Sequence, residues 1–129
     1  MSKAAALYVA VVDDDESFSR SLGRLLRAAG MQPITYASAE EFLADRKHPV
    51  FDCLVLDVHL GGISGIELGQ RLEVEGRYAP FICITSHEDP ATRALAEAAG
   101  CAAFFRKTDS GAAVLDAIRR VALSPTDGR

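Results

Sequence analysis

Three carboxylates, a hydroxyl and an amine stand at the ends of short apolar runs in this 129-residue chain. Val11-Val12 leads into Asp13, Asp14, Asp15 and Glu16, and Leu54-Val55-Leu56 leads into Asp57. Ile84 is followed by Thr85 and Ser86, and Phe104-Phe105 by Arg106 and Lys107. Taken singly, each has an ordinary use. Acids favour the start of a helix, and Asp15 and Glu16 are assigned that role. Asp13 and Asp14 are also suited to capping, and Lys107 to an ordinary surface position. Their joint placement at four run ends points to chemistry instead. Three carboxylates brought together repel, and some are forced to take up protons. A hard divalent cation removes the conflict, and oxygen-only donors with positions left for water suit Mg²⁺. A carboxylate beside Mg²⁺ and a lysine ammonium is a nucleophile toward phosphorus, with an aspartyl phosphate as product. The cation and Lys107 would neutralise charge on the equatorial oxygens of the transition state.

The elements that must position these groups follow from the apolar pattern. Five short runs, at 7–12, 33–36, 51–56, 81–85 and 102–105, are rich in β-branched or aromatic residues. They read as buried strands, because the best of them are continuously apolar. Five helical stretches alternate with them. The first covers about 17–29, with Phe18, Leu22, Leu25, Leu26 and Ala29 at helical spacing. Ser38 with Glu41, and Ser64 with Glu67, form capping-box patterns for the second and third. Asp89 and Pro90 suit the N-cap and first position of the fourth. The fifth covers about 110–123, with Val114, Ile118 and Val121 as its inner edge. Gly30, Gly76 and Gly100 follow helices one, three and four, where a left-handed residue is wanted. Strict alternation predicts an α/β fold, a doubly wound parallel sheet with helices on both faces. Ligands of such sheets bind outside the carboxyl ends of the strands, where strand order reverses. The four chemical run ends fall on that edge.

Composition bounds the possibilities. Apolar residues make up 49% and charged residues 25% of the chain, the balance of one globular domain rather than a disordered chain. The predicted organisation is a single domain over 1–129, with 1–5 and 124–129 frayed. No apolar run approaches a membrane span, and no signal peptide is visible. The formal charge is −4, from 14 Lys+Arg against 18 Asp+Glu, which argues against a basic nucleic-acid face. Residues 13–16 carry that whole excess. Cys53, Cys83 and Cys101 have no paired spacing and form no disulfide framework. Cys53 and Cys83 sit in apolar runs and read as small core residues, and with no export signal the cytoplasm is the expected compartment.

The ordered set Val11-Val12-Asp13-Asp14-Asp15-Glu16, Leu54-Val55-Leu56-Asp57, Ile84-Thr85-Ser86 and Phe104-Phe105-Arg106-Lys107 resembles a response-regulator receiver domain of bacterial two-component signalling. The resemblance runs over essentially the whole length. Tyr36-Ala37-Ser38-Ala39-Glu40-Glu41-Phe42-Leu43 further resembles receivers of the nitrogen-fixation regulator type. It implies a flavodoxin-like (βα)5 fold with strand order 2-1-3-4-5. It implies that Asp57 is the phosphoacceptor and that Mg²⁺ is held by Asp13, Asp14, Asp57 and the main-chain carbonyl of His59, with Asp14 favoured over Asp13 as a direct ligand. Thr85 would bind a phosphoryl oxygen, Lys107 would pair with the phosphoryl group, and Phe104 occupies the aromatic switch position. The phosphoryl group would come from a histidine kinase or histidine phosphotransfer protein and switch binding to a downstream protein target. Neither direct nucleic-acid nor membrane contact is expected. A homodimer, if one forms, is expected through the face of the fourth and fifth helices.

This sequence departs from the family pattern in two places. Thr108 follows Lys107 where proline is common, so a trans peptide is expected. His59-Leu60-Gly61-Gly62 lacks the usual loop proline, which makes that loop more permissive. His59 and His87 flank the site and are expected to change how long the phosphoryl group survives. Together with Asp14 and Asp57 they suggest a transition-metal site, but neither lies in a ligand-spaced motif. The chain stops at Arg129, so no output domain is expected. Two other classes remain. One is an aspartyl-phosphate phosphohydrolase, disfavoured because His59 stands where a second aspartate would act. The other is a non-phosphorylated interaction domain. The receiver reading expects only self-phosphorylation and autodephosphorylation.

Overall fold

The computed structural model describes residues 6–76, 79–87 and 89–123. The expectation of frayed ends at 1–5 and 124–129 lies outside them. Strands and helices alternate as β1 (Tyr8–Val12), α1 (Glu16–Ala28), β2 (Gln32–Tyr36), α2 (Ala39–Ala44), β3 (Cys53–Asp57), α3 (Gly65–Val74), β4 (Phe81–Thr85), α4 (Pro90–Ala98), β5 (Ala103–Arg106) and α5 (Gly111–Leu123). All four pairings are parallel, and the order across the sheet is β2-β1-β3-β4-β5. This is the flavodoxin-like arrangement expected from the sequence.

The central strands are continuously apolar because both faces are covered. Val9, Val11, Cys53, Val55, Ile82 and Ile84 pack with Leu22 and Leu26 of α1 and with Val114, Ala117 and Ile118 of α5. Ala10, Val12, Leu54, Leu56, Phe81 and Cys83 pack with residues of α2, α3 and α4 on the other side. Successive strand residues point to opposite faces, so one apolar run supplies two cores.

Helix signals hold with small corrections. Asp15, Ser38, Ser64 and Asp89 are N-caps of α1 to α4. Ser64 and Glu67 form a full capping box. At α2 the box is incomplete. Ser38 accepts from the Glu41 amide, but the Glu41 carboxylate accepts from Ala37 N–H, one residue earlier. The buried side of α1 is Ser19, Leu22, Gly23 and Leu26, with Phe18, Leu25 and Ala29 only half-buried. Two small residues let α1 approach the sheet closely and shift the apolar stripe sideways. In α5, Ala117 rather than Val121 completes the fully buried edge. Gly30, Gly76 and Gly100 have positive φ, as a left-handed helix end requires. The best candidate for a mobile helix is α4. It buries only Ala96, and its one large apolar residue, Leu95, is 62% exposed. No cis peptide bond occurs among the described residues, so Lys107-Thr108 is trans as expected. Cys53 and Cys83 are buried, and burial pushes the Cys53 thiol up to about 12. That is the behaviour of a packing residue. No helix among the described residues is long and apolar enough to cross a membrane.

Candidate phosphoacceptor site

The sheet reverses its strand order between β1 and β3, and the predicted residues gather at the carboxyl ends there. Asp57 is the last residue of β3, and Asp13 directly follows β1. Each of Asp13, Asp14 and Asp57 offers a carboxylate oxygen within 4.8 Å of those of the others. Asp13 and Asp57 are buried, and Asp14 is exposed at the mouth. Lys107 arrives from the loop after β5, its amide donating to the Thr85 carbonyl at 2.8 Å. Its Nζ lies 2.9 Å from Asp13 Oδ2 and 3.3 Å from Asp57 Oδ2. Its hydrogen bond to Asp13 is made to Oδ1, at 3.0 Å.

One ammonium does not balance this cluster. Desolvation and then the charge of Asp13 push the Asp57 carboxyl up to about 6, against the pull of the His59 amide and of Lys107. Burial works against the charge of Lys107, yet the hydrogen bond it donates to Asp13 and the fields of Asp57 and Asp13 hold its ammonium above the ordinary lysine value. Asp13 Oδ2 is buried, and the Lys107 ammonium beside it is its ion-pair partner rather than a hydrogen-bond donor. Three carboxylates sharing one ammonium, 2.9 Å from Asp13 Oδ2 and 3.3 Å from Asp57 Oδ2, fit a hard divalent cation. The donors are all oxygen, so the fit is to that class of ion.

Backbone contacts fix the two buried acids. The Asp15 amide donates to Asp13 Oδ1 at 2.8 Å and the His59 amide to Asp57 Oδ1 at 3.1 Å. Asp15 caps α1 by accepting from Phe18 N–H at 3.1 Å. It therefore serves the helix while Asp13 and Asp14 are left for the cluster, as the sequence suggested. Gly65 opens α3 directly under Asp57, and any Cβ there would run into the Asp57 main-chain oxygen.

Thr85 is fully buried, but its hydroxyl is engaged away from the carboxylates. It donates to the His87 carbonyl at 2.8 Å. Reaching a phosphoryl oxygen requires breaking that bond. Phe104 is half-buried on β5, with the Arg93 guanidinium of α4 5.4 Å from its ring centre. The side chains of His59 and His87 are exposed at the mouth. They are absent from the metal-capable cluster found among the described residues, which is made of aspartates alone.

Two further side chains touch the site or its loop, and neither carries a sequence signal for it. Phe18 places its ring 4.9 Å from Lys107 Nζ, a cation–π seat for the ammonium. In the sequence it reads only as an apolar helix residue. Glu40, at the start of α2, accepts from the Ile63 amide at 3.0 Å and so touches the loop that follows Asp57. Nothing in the sequence pairs an acid with an amide so far along the chain.

The comparisons agree with this geometry. The profile of the response regulator receiver domain matches residues 9–119. Nodulation protein W of Bradyrhizobium diazoefficiens is 37% identical over 110 residues, covering 85% of this chain and 48% of that protein. The crystal structure of FixJ-N superposes with a TM-score of 0.82 at 30% identity, covering 96% of this chain and 99% of that one. A Burkholderia pseudomallei response regulator was solved with a phosphorylated aspartic acid, a calcium ion and citrate. It superposes with a TM-score of 0.78 at 25% identity, covering 90% of this chain and 68% of that one. The chain spans about half the length of the curated relatives it matches.

Proposed function

The chain belongs to the response regulator receiver domain family, and from that premise we propose that it acts as a phosphoacceptor domain whose acceptor is Asp57. The observation that carries the reading is the meeting of Asp13, Asp14 and Asp57 within 4.8 Å, with Lys107 Nζ between the two buried carboxylates. Such a cluster is poised for phosphoryl transfer, as in regulators of this family. The family's chemistry is self-phosphorylation and dephosphorylation, not turnover of external substrates.

In the proposed reaction the donor is a phosphohistidine on a histidine kinase or phosphotransfer protein in the cytoplasm. An Asp57 carboxylate oxygen forms a bond to phosphorus as the P–N bond breaks, and the electron pair leaves with the imidazole. Asp13, Asp14, Asp57 and the His59 carbonyl would hold Mg²⁺, which would supply positive charge to the phosphoryl oxygens. Lys107, released from its share in Asp57, pairs with another phosphoryl oxygen. Thr85 turns from the His87 carbonyl toward the phosphoryl group, because a dianionic acceptor outcompetes a neutral carbonyl for its hydroxyl. The space it vacates admits Phe104. That ring has no hydroxyl, so packing alone sets its place, and the weakly buried α4 moves with it to change a protein-binding face.

The test is mass measurement after incubation with Mg²⁺ and a small acyl phosphate. A single phosphoryl adduct is expected in the wild type, with none in Asp57→Asn. No adduct with either the small donor or a cognate kinase refutes the reading.

A further inference from the structure

The loop from Val58 to Ser64 lacks a stiffening proline and contains Gly61 and Gly62, yet both of its limbs are held by backbone donors. Val58 N–H donates to the Ile84 carbonyl and His59 N–H to Asp57 Oδ1. Ser64 N–H donates to Glu67 Oε1 and Gly65 N–H to the Val58 carbonyl. The last two bonds close the loop onto its own segment. Ile63 N–H is different. It donates to Glu40 Oε2 at 3.0 Å, to a residue 23 positions earlier. Among these bonds it alone ties the far limb of the loop to another helix.

Local features are built around that contact. Gly62 has φ +78°, and a Cβ there would stand 2.6 Å from Glu40 Oε2. Glycine therefore provides the turn and also the room for the carboxylate to reach the backbone. The Ile63 hydrogen bond holds the Glu40 carboxyl below its ordinary value, with the Arg71 charge contributing in the same direction. A charge-assisted bond to a backbone amide is stronger than a neutral one.

We propose that Glu40 is a positioning residue for the phosphoacceptor site, tethering the 58–64 loop through the Ile63 amide so that the His59 carbonyl is presented to the divalent cation. This rests on the reading of Asp57 and its neighbours as the cation-dependent acceptor. Partners that orient ligands change metal affinity without touching the ion. Here the partner acts through the loop, so the effect is on how much of the time the ligand is in place.

The experiment compares wild type, Glu40→Ala and Glu40→Gln. Glu40 is exposed, so both variants are expected to fold, which their melting temperatures check. Three quantities are read: hydrogen exchange at the Ile63 amide, the Mg²⁺ dissociation constant by calorimetry, and phosphorylation by a small acyl phosphate as Mg²⁺ is varied. In Glu40→Ala the Ile63 amide is expected to exchange faster. The dissociation constant is expected to rise about three- to tenfold, at or below the usual range for partners that orient metal ligands because this one is exposed. Phosphorylation slows at low Mg²⁺ and recovers at saturation. Glu40→Gln keeps an acceptor oxygen and stays within about twofold of wild type. Unchanged Ile63 exchange in Glu40→Ala overturns the proposal, as does unchanged Mg²⁺ affinity. An equal loss of Mg²⁺ affinity in Glu40→Gln with the Ile63 amide still protected also overturns it, because charge rather than the tether would then be acting. A wild type that takes no phosphoryl group refutes the functional reading instead, while exchange and Mg²⁺ titration still decide the role of Glu40.

Discussion

Replacing Asp57 by asparagine should make the cation-free protein more stable, although it destroys the acceptor. Asp57 sits with Asp13 in a buried cluster that one lysine does not neutralise, and its carboxyl is raised from 3.8 to about 6. A folded-state value above the unfolded one means that folding favours the protonated acid. That contribution is fully present below the unfolded value and is lost as pH rises through about 6. The shift is about 2 units, so at pH 7.5 the ionised group weakens the fold by about 3 kcal/mol. An asparagine at this position would keep an oxygen for the His59 amide and carry no charge, while its own amide would face Lys107 less well than a carboxylate does. The expected gain is therefore about 1–3 kcal/mol, or a melting temperature roughly 4–12 °C higher. The assay is thermal unfolding of both proteins in chelator at pH 7.5 and pH 4.5. At pH 4.5 the charge contribution falls to about 1 kcal/mol, because the folded group is then mostly protonated. Saturating Mg²⁺ should also narrow the gap, since it stabilises the wild type more. If Asp57→Asn is no more stable than wild type in chelator at pH 7.5, the argument from charge crowding is wrong. A gain that is equally large at both pH values refutes it too.

Lys107→Ala should have the opposite sign. It leaves two buried carboxylates without their cation, which costs about 3–5 kcal/mol in chelator, and urea titration with and without Mg²⁺ would detect it. Gly65→Ala pushes a methyl group against the Asp57 main chain. We expect a loss of about 1–3 kcal/mol together with slower phosphorylation, read by denaturant titration and adduct formation. Asp15→Ala removes the cap of α1 and should lower stability by about 1 kcal/mol while leaving the adduct on Asp57 intact by mass. Replacing His59 and His87 together should change the decay rate of the phosphorylated form, and an unchanged decay would show that the exposed rings do not govern access of water.

Much of this protein is decided by local chemistry and is therefore legible along the chain. Continuous apolar runs alternating with amphipathic stretches point to a parallel sheet between two helical layers, because both faces of such strands must be buried and five strands are too few for an eight-stranded barrel. Caps at Asp15, Ser64 and Asp89, and left-handed glycines after helices, are short-range devices whose partners lie within a few residues. Asp13, Asp14, Asp57, Thr85 and Lys107 are legible because each closes or follows a strand, and all strands of a parallel sheet end on one edge.

Distance-dependent facts needed the fold. Only packing brings Lys107 to Asp13 across 94 positions and sets the crowding that raises Asp57. Only the fold turns the Thr85 hydroxyl to the His87 carbonyl, seats Lys107 over Phe18 and ties Glu40 to Ile63. A residue's type says what it can donate or accept. Burial and the approach of groups far away in sequence decide whether it is charged and which partner it holds.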